Sequence, residues 1–141
     1  MMPDKKIKHL EMIEAIIERM AKNCFQLKGW AMTLVALVGA LASQGSDKKF
    51  MLFAFIPIIG FCLLDAFYLQ QERRYRLLYK NVVDKNEDDI DFNLDTSQVI
   101  GTDEEIVHLG FCKCLFSPSV FWFYGVIAIA MLALVFVLKT L

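Results

Sequence analysis

The chain has 141 residues, of which 57% are hydrophobic, and its mean hydropathy is +0.46. This composition is too apolar for a small soluble domain, and the apolar residues lie in blocks, as in membrane proteins. With a net charge of −1, the chain has no excess of basic residues that would argue for binding to nucleic acid. No nucleotide loop, metalloprotease motif or Ser/His/Asp spacing indicates an enzyme.

The first predicted element is an amphipathic cytoplasmic helix over residues 4–26. Its apolar residues recur at helical spacing and share one face: Leu10, Ile13, Ile17, Met20 and Cys24. The other face carries both acids and bases, which favours packing against protein over lying on lipid. No Pro or Gly precedes Gly29, so we expect one helix to continue into the membrane, with room for a bend at Gly29.

Three apolar runs follow, at residues 27–43, 50–69 and 118–141. Roughly 20 residues at about 1.5 Å each cross a bilayer core of about 30 Å, so each run predicts a transmembrane helix. The polar turn Gln44–Lys49 joins the first two runs into a hairpin over residues 27–70. Lys and Arg concentrate before the first run and between the second and third. This predicts a cytoplasmic N-terminus and long loop, and a C-terminus on the opposite side of the membrane.

Small residues form a stripe on one face of the first predicted span. We call these residues the small-residue stripe: Gly29, Thr33, Ala36, Ala40 and Ser43. Small side chains let helices approach closely in lipid, where no hydrophobic force drives apolar helices together. Two roles fit equally: packing within the hairpin, and contact between the subunits of a homo-oligomer.

The second predicted span contains a helix-breaking pair and one acid. Pro57 removes a backbone hydrogen bond and Gly60 is nearby, so we expect a kink that acts as a gating hinge or simply shapes the helix. Asp65 lies about 7 Å inside the cytoplasmic end. Counted by depth, it faces Thr33 and the Trp30 indole on the first span. We therefore expect Asp65 to accept hydrogen bonds from one of them and fix the hairpin.

The segment 71–117 is predicted to be cytoplasmic and to begin as a continuation of the second span to about Val83. Four residues on this helix are candidates for coupling a cytoplasmic signal to the membrane: Glu72, Arg73, Arg76 and Tyr79. An acidic segment, Asp84–Glu105, follows and is expected to be a solvated and partly mobile linker. Within it, apolar and polar residues alternate over residues 90–95. This predicts a short strand that needs a partner, for example from another subunit.

Thr102 and Glu105 have the spacing of a capping box, which predicts the start of a helix through Phe116. That helix is almost wholly apolar, so it is expected to lie at the membrane surface or beneath the cytoplasmic helices. Pro118 suits the first turn of the third span.

Potential ligands for a metal ion are sparse. His108, Cys112 and Cys114 could hold a soft metal, but a structural zinc site needs four ligands at more regular spacing. The acidic segment lacks the Gly and the spacing of an EF-hand loop. We therefore predict no metal and no cofactor, and reduced thiols at the four cysteines.

Four motifs carry a resemblance to a known group: His9–Glu11, Arg19–Asn23, Leu27–Trp30 and Gln71–Tyr79. With them the chain resembles a group of small bacterial membrane proteins. The arrangement of a helix, a two-span hairpin and a second helix is also similar to SLATT-type effectors of bacterial conflict systems, which are predicted to disturb membranes after a partner senses infection. Those effectors have two spans, whereas this chain has a third apolar run.

Together these observations predict an all-α integral membrane protein with three transmembrane helices, cytoplasmic helical extensions and a short acidic loop. The resemblance implies an oligomeric inner-membrane effector or accessory protein of antiviral defence, which alters membrane permeability on a cytoplasmic signal and is not an enzyme. The alternative is a membrane anchor or scaffold that recruits a cytosolic partner protein. The expected partners are the lipid bilayer, further copies of this chain and such a cytosolic protein, but no nucleic acid.

Overall fold

The computed structural model describes residues 4–44 and 52–140. Over these ranges the chain is helical and contains no β-strand, which confirms the predicted all-α class. The helices are α1 (Asp4–Ser43), α2 (Phe55–Asp84), α3 (Asp103–His108), α4 (Phe111–Leu115) and α5 (Pro118–Thr140). A single 3₁₀ turn, Glu87–Asp89, follows α2.

Helices α1 and α2 form an antiparallel pair. The 40 residues of α1 include Gly29 without interruption, as the sequence predicted. The start of α1 contacts the chain just beyond the end of α2, through Lys5 and Glu87, whereas Lys28 contacts Asp65 in the first half of α2. The two helices therefore run side by side over most of their length.

Two apolar clusters hold these helices together. The larger joins α1, α5 and the start of α2, and its buried residues are Ala31, Val38, Ala42, Ala54, Ile58, Val120, Tyr124, Ile127 and Met131. The smaller consists of Ile13, Leu78 and Val82, with Leu10, Ile17, Tyr75, Tyr79, Ile90, Leu94 and Val99 packed around them. The two clusters are separated at the level where α1 and α2 change from mostly apolar to charged sequence.

The prediction of a strand at residues 90–95 is wrong. This segment is irregular, and Ile90 and Leu94 pack on the smaller cluster rather than on another strand. Phe92 has a positive φ of 53° and its ring lies 5.5 Å from the buried His9 ring. The acidic segment is therefore docked on α1 and α2 by its apolar residues, while Asp91 and Asp95 are exposed.

The predicted helix after Thr102 is present but divided. Thr102 and Glu105 form the expected capping box, with each side chain bonded to the backbone amide of the other. Helix α3 closes at Leu109, and the extended Gly110 begins α4. A Cβ at Gly110 would lie 3.2 Å from the Val107 carbonyl oxygen, so the close turn favours glycine there.

By length and composition, two helices of the described part could cross a membrane: Lys5–Ala42 and Pro118–Val137. The sequence predicted three. Helix α2 begins only at Phe55, so an 18-residue stretch at its start reaches the polar residues Gln70–Glu72. Most of the predicted turn Gln44–Lys49 lies outside the described residues.

Candidate functional site

A buried ion pair joins α1 to the first half of α2. The Asp65 side chain is 1% exposed, and its Oδ2 accepts a hydrogen bond from Lys28 Nζ. The Lys28 ammonium also lies 5.8 Å from the centroid of the Phe123 ring on α5, within cation–π range. Asp65 therefore has its counter-ion on the neighbouring helix, and the pair brings α1, α2 and α5 together.

The expectation that Thr33 or Trp30 would bond to Asp65 is wrong. The buried face of α1 passes through Leu27 and Ala31, which leaves Thr33 and Trp30 exposed. Thr33 Oγ1 donates instead to the Gly29 carbonyl of its own helix at 3.0 Å. A depth counted at the backbone neglects the long Lys side chain, which reaches inward along the helix.

Two polar atoms beside this pair are buried without a hydrogen-bond partner among the described residues: Asp65 Oδ1 and the Tyr124 hydroxyl. A Cys24 S–H donates to the Asp65 backbone carbonyl at 3.7 Å. The Tyr124 hydroxyl is a donor and Asp65 Oδ1 is an acceptor, and the two side chains interact, so the hydroxyl supplies a donor for this oxygen.

A cleft of about 270 Å³ opens at this pair. Its walls come from α1, α2 and the first turn of α5: Ala21, Cys24, Phe25, Lys28, Asp65, Leu69, Glu72 and Ser119. Glu72 Oε1 accepts a hydrogen bond from Arg76 Nε at 2.9 Å and forms an ion pair with Nη2 at 2.8 Å. The cleft thus contains two carboxylates, one ammonium and one hydroxyl.

Arg73 and Gln70 fasten α2 to the two short helices. Arg73 Nη1 donates to the His108 carbonyl at 3.0 Å, and Nη2 donates to Ser117 Oγ at 3.2 Å. Gln70 Nε2 donates to the Leu109 carbonyl at 2.7 Å. These side chains satisfy carbonyls at the end of α3 that have no partner within the helix. Arg73 therefore holds α2 against the short helices and does not present a free charge at the surface.

The buried Cys114 thiol lies against the same guanidinium, with Arg73 Nη1 3.6 Å from its Sγ. Burial raises the pKa of the Cys114 thiol, and the Arg73 charge opposes that rise. Within residues 4–44 and 52–140, His, Cys, Asp and Glu form no group of three that could hold a metal ion.

A second set of polar contacts closes the opposite end of the cytoplasmic helices. Glu87 Oε1 accepts from the backbone amides of Lys5 and Lys6 at 3.0 and 3.2 Å, so it caps α1. Lys6 Nζ donates to the Val83 and Lys85 carbonyls at 2.6 and 2.8 Å, so it caps α2. His9 Nε2 is 3.0 Å from the Asn93 carbonyl oxygen. We call these contacts the terminal clamp.

The remaining candidate residues are spread over different faces. In the small-residue stripe, Gly29, Thr33, Ala36 and Ala40 are exposed, and the Ser43 side chain lies outside those described. Pro57 is the third residue of α2, and Gly60 continues that helix. Tyr79 packs on the smaller cluster.

Comparison with family models, curated proteins and solved structures found no match. Sequence reasoning missed Lys28 and Glu87 as partners. The signal for Lys28 was present, because a Lys at the edge of an apolar run can reach an acid about one turn deeper on an antiparallel neighbour.

Proposed function

We propose that the chain is a membrane-embedded effector in which docked cytoplasmic segments control the packing of the membrane helices, and thereby the permeability of the membrane. The observation that carries this proposal is the buried Lys28–Asp65 pair. It lies where two continuous helices pass from apolar to charged sequence, and it touches the start of the third.

Exposed apolar surface supports insertion into a bilayer. In the most apolar 18-residue stretches of α1 and α5, only 22% of the residues are buried. The core helix of a soluble protein would be mostly buried, whereas here Trp122, Ile129 and Phe136 are each more than two-thirds exposed, at 68%, 69% and 68%. Water is a poor solvent for so large an apolar patch, and lipid is a good one. We propose that the start of α2 completes a third span.

Rigid helices supply the route from cytoplasm to membrane. Helix α1 extends over 40 residues and α2 over 30, from the terminal clamp to the apolar bundle. A partner that displaces the acidic segment would release Glu87 from α1 and Lys6 from α2. The helices would then be free to repack at Lys28–Asp65, and repacking between discrete arrangements is how such signals travel.

One subunit offers no polar path through the bilayer in its described part. Thr33 satisfies its hydroxyl within α1, and Asp65 is paired near one end of the span. A conducting state would need several subunits or a disturbance of the lipid itself. The exposed Gly29, Thr33, Ala36 and Ala40 support close contact with a second copy, so we propose a homo-oligomer in the inner membrane, N-terminus cytoplasmic.

The role in bacterial antiviral defence is the biological setting that we propose for this activity. It rests on the resemblance of the motifs around Leu27–Trp30 and Gln71–Tyr79 to small bacterial membrane proteins, and on the likeness of the helical arrangement to SLATT-type effectors. In that setting an infection sensor in the cytoplasm would act on the docked acidic segment.

The test is membrane potential in bacteria that express the chain, read with a potential-sensitive dye. We expect depolarisation by the natural chain and its loss in Ala36→Leu, which fills the small-residue stripe. Ala130→Leu is the matched control, because Ala130 is also exposed but lies on α5. Equal depolarisation by both variants would refute the role of the stripe, and none by the natural chain would refute the effector.

The alternative, a membrane anchor that recruits a cytosolic protein through the acidic segment and the Arg-rich helix, has less support. Arg73, Arg76 and Lys80 all have partners within the chain, at the end of α3, Glu72 and Glu105 respectively. Co-purification of one stoichiometric cytosolic partner, without any depolarisation, would favour the anchor.

A further inference from the structure

A cavity of about 440 Å³ lies between α2, the acidic segment and α3, and one of the residues that line it is charged, Arg74. The Arg74 side chain is half-buried. Within residues 4–44 and 52–140, ion pairs occupy Lys28, Arg76, Lys80 and Lys85, whereas Arg74 forms none. We call this space the Arg74 cavity. It contains a positive charge that no carboxylate of the described chain neutralises.

The polar side chains of the Arg74 cavity offer mainly hydrogen-bond donors. The neighbouring Arg73 is occupied, because it bonds to the His108 carbonyl and to Ser117 Oγ. Neither the Arg74 guanidinium nor the Thr96 hydroxyl has a hydrogen-bond partner in the described part of the chain. Ser97, which also lines the cavity, donates its hydroxyl to Asp95 Oδ2 at 2.8 Å. The groups left for a ligand are therefore a planar cationic fork and one hydroxyl.

We infer that the Arg74 cavity binds the phosphate of an anionic phospholipid of the cytoplasmic leaflet, phosphatidylglycerol. A guanidinium holds two phosphate oxygens at once through parallel N–H bonds, and the Thr96 hydroxyl provides one further donor. A zwitterionic headgroup would bring an ammonium into a cavity whose wall contains a cation and no acid. The headgroup of phosphatidylglycerol brings only neutral hydroxyls beside its phosphate.

Two hydrogen bonds fix the level of the Arg74 cavity relative to the proposed membrane spans. Gln70, which directly follows the apolar run 50–69, donates to the carbonyl of Leu109, and Leu109 lines the cavity. Arg73 bonds to Ser117 Oγ at 3.2 Å, and α5 begins at the next residue, Pro118. The cavity therefore lies where the apolar parts of α2 and α5 both end, which is the level of lipid phosphates. Basic pockets at this level of the cytoplasmic side are typical sites for anionic headgroups.

The remaining wall of the Arg74 cavity favours a lipid over a free phosphate ion. Val99, Ile106 and Leu109 supply apolar surface beside Arg74. Ile106 and its neighbour Val107 are also exposed on α3, at 44% and 55%. A free phosphate is strongly hydrated and gains nothing from these side chains, whereas the glycerol backbone and first methylenes of a phospholipid are stabilised by them.

This inference rests on the proposed insertion into a membrane, and two assays separate the two. Flotation with phosphatidylcholine vesicles measures insertion alone. Native mass spectrometry of the purified chain in neutral detergent micelles counts bound lipid as phosphatidylglycerol or phosphatidylcholine is titrated. We expect the natural chain to float, and to bind phosphatidylglycerol about tenfold or more tightly than phosphatidylcholine.

Variants of the cavity wall locate the site. Arg74→Gln should weaken phosphatidylglycerol binding by about tenfold or more, and Thr96→Val by about threefold, because each loses donors to the phosphate. Lys113→Gln is the matched control, since it removes the same charge from an exposed position on α4 outside the cavity. Helical circular dichroism checks that each variant is folded.

Four outcomes would overturn the inference or its premise. Equal weakening by Arg74→Gln and Lys113→Gln would mean that lipid is attracted by the basic surface as a whole and not by the cavity. Phosphatidylglycerol binding no tighter than that of phosphatidylcholine would overturn the anionic headgroup while flotation left insertion intact. Equally tight binding of glycerol 3-phosphate would overturn the assignment to a lipid. A chain that does not float would refute the membrane insertion itself.

Discussion

The ion pair between Lys28 and Asp65 predicts an asymmetric response to mutation. Lys28→Met leaves the Asp65 carboxylate, 1% exposed, without a counter-ion. Breaking a buried pair in this way costs about 3–5 kcal/mol. Asp65→Leu leaves Lys28, whose side chain is 19% exposed and can turn towards water or headgroups. We therefore expect Asp65→Leu to cost less, on the order of 1–2 kcal/mol.

The double variant Lys28→Met with Asp65→Leu decides whether the loss comes from the pair. Replacing both partners with apolar side chains of similar size is often neutral, so we expect the double variant to be more stable than Lys28→Met alone. The coupling free energy should be about 2 kcal/mol or more in a double-mutant cycle. It is measured by unfolding the purified protein in mixed micelles, followed by loss of helical circular dichroism.

Two outcomes would refute this reasoning. Additive free energies in the cycle would mean that the ion pair contributes nothing beyond the two separate side chains. A larger loss for Asp65→Leu than for Lys28→Met would mean that the buried lysine, rather than the buried carboxylate, carries the cost. Lys22→Met is the control for lysine removal, because Lys22 is exposed on α1.

Three further predictions concern the cytoplasmic contacts. The bonds from Lys80 and from the Thr102 amide lower the pKa of Glu105 below its ordinary 4.5. The stabilisation of the fold by the Glu105 carboxylate is therefore complete above pH 4.5 and is lost as the pH falls through the lowered pKa. Glu105→Gln should flatten the acid side of a circular-dichroism titration. Glu87→Gln should cost about 0.5–1 kcal/mol by weakening the cap of α1, seen as faster amide exchange in its first turn. Arg73→Ala should cost about 1.5–3 kcal/mol, because two charge-assisted bonds are lost, whereas Arg74→Ala should change the unfolding midpoint little.

Much of the helical architecture could be predicted from local chemistry. The capping box at Thr102 and the proline at Pro118 mark helix starts, because each satisfies or lacks a particular backbone amide. The continuity of α1 through Gly29 followed from the lack of any proline in that region. Such signals act within one turn of the chain, so a single sequence is enough to read them.

The structures of the site and of the acidic segment could not be predicted from local patterns, because they depend on contacts between residues far apart in the sequence. Alternating apolar residues at 90–95 look the same whether they pair with a strand or dock on helices, and only the nearby apolar groove formed by Leu78 and Val82 decides between them. Predicting the Lys28–Asp65 pair required the rotation of α1 about its own axis as well as the depth of each residue, since the orientation of α1 places Thr33 on its exposed face.

The terminal clamp and the Lys28–Asp65 pair have different roles because they lie in different surroundings. The terminal clamp is made of separate hydrogen bonds, several of them at the exposed surface, and each is individually weak and open to a competing partner. The Lys28–Asp65 pair is buried, so its bonds hold unless the helices themselves separate. A ligand that opens the clamp therefore changes the membrane only if the stiff helices between carry the displacement to the pair. Since α1 and α2 are unbroken over that distance and share the Ile13 cluster, a weak event at the cytoplasmic end can be converted into repacking at the bilayer.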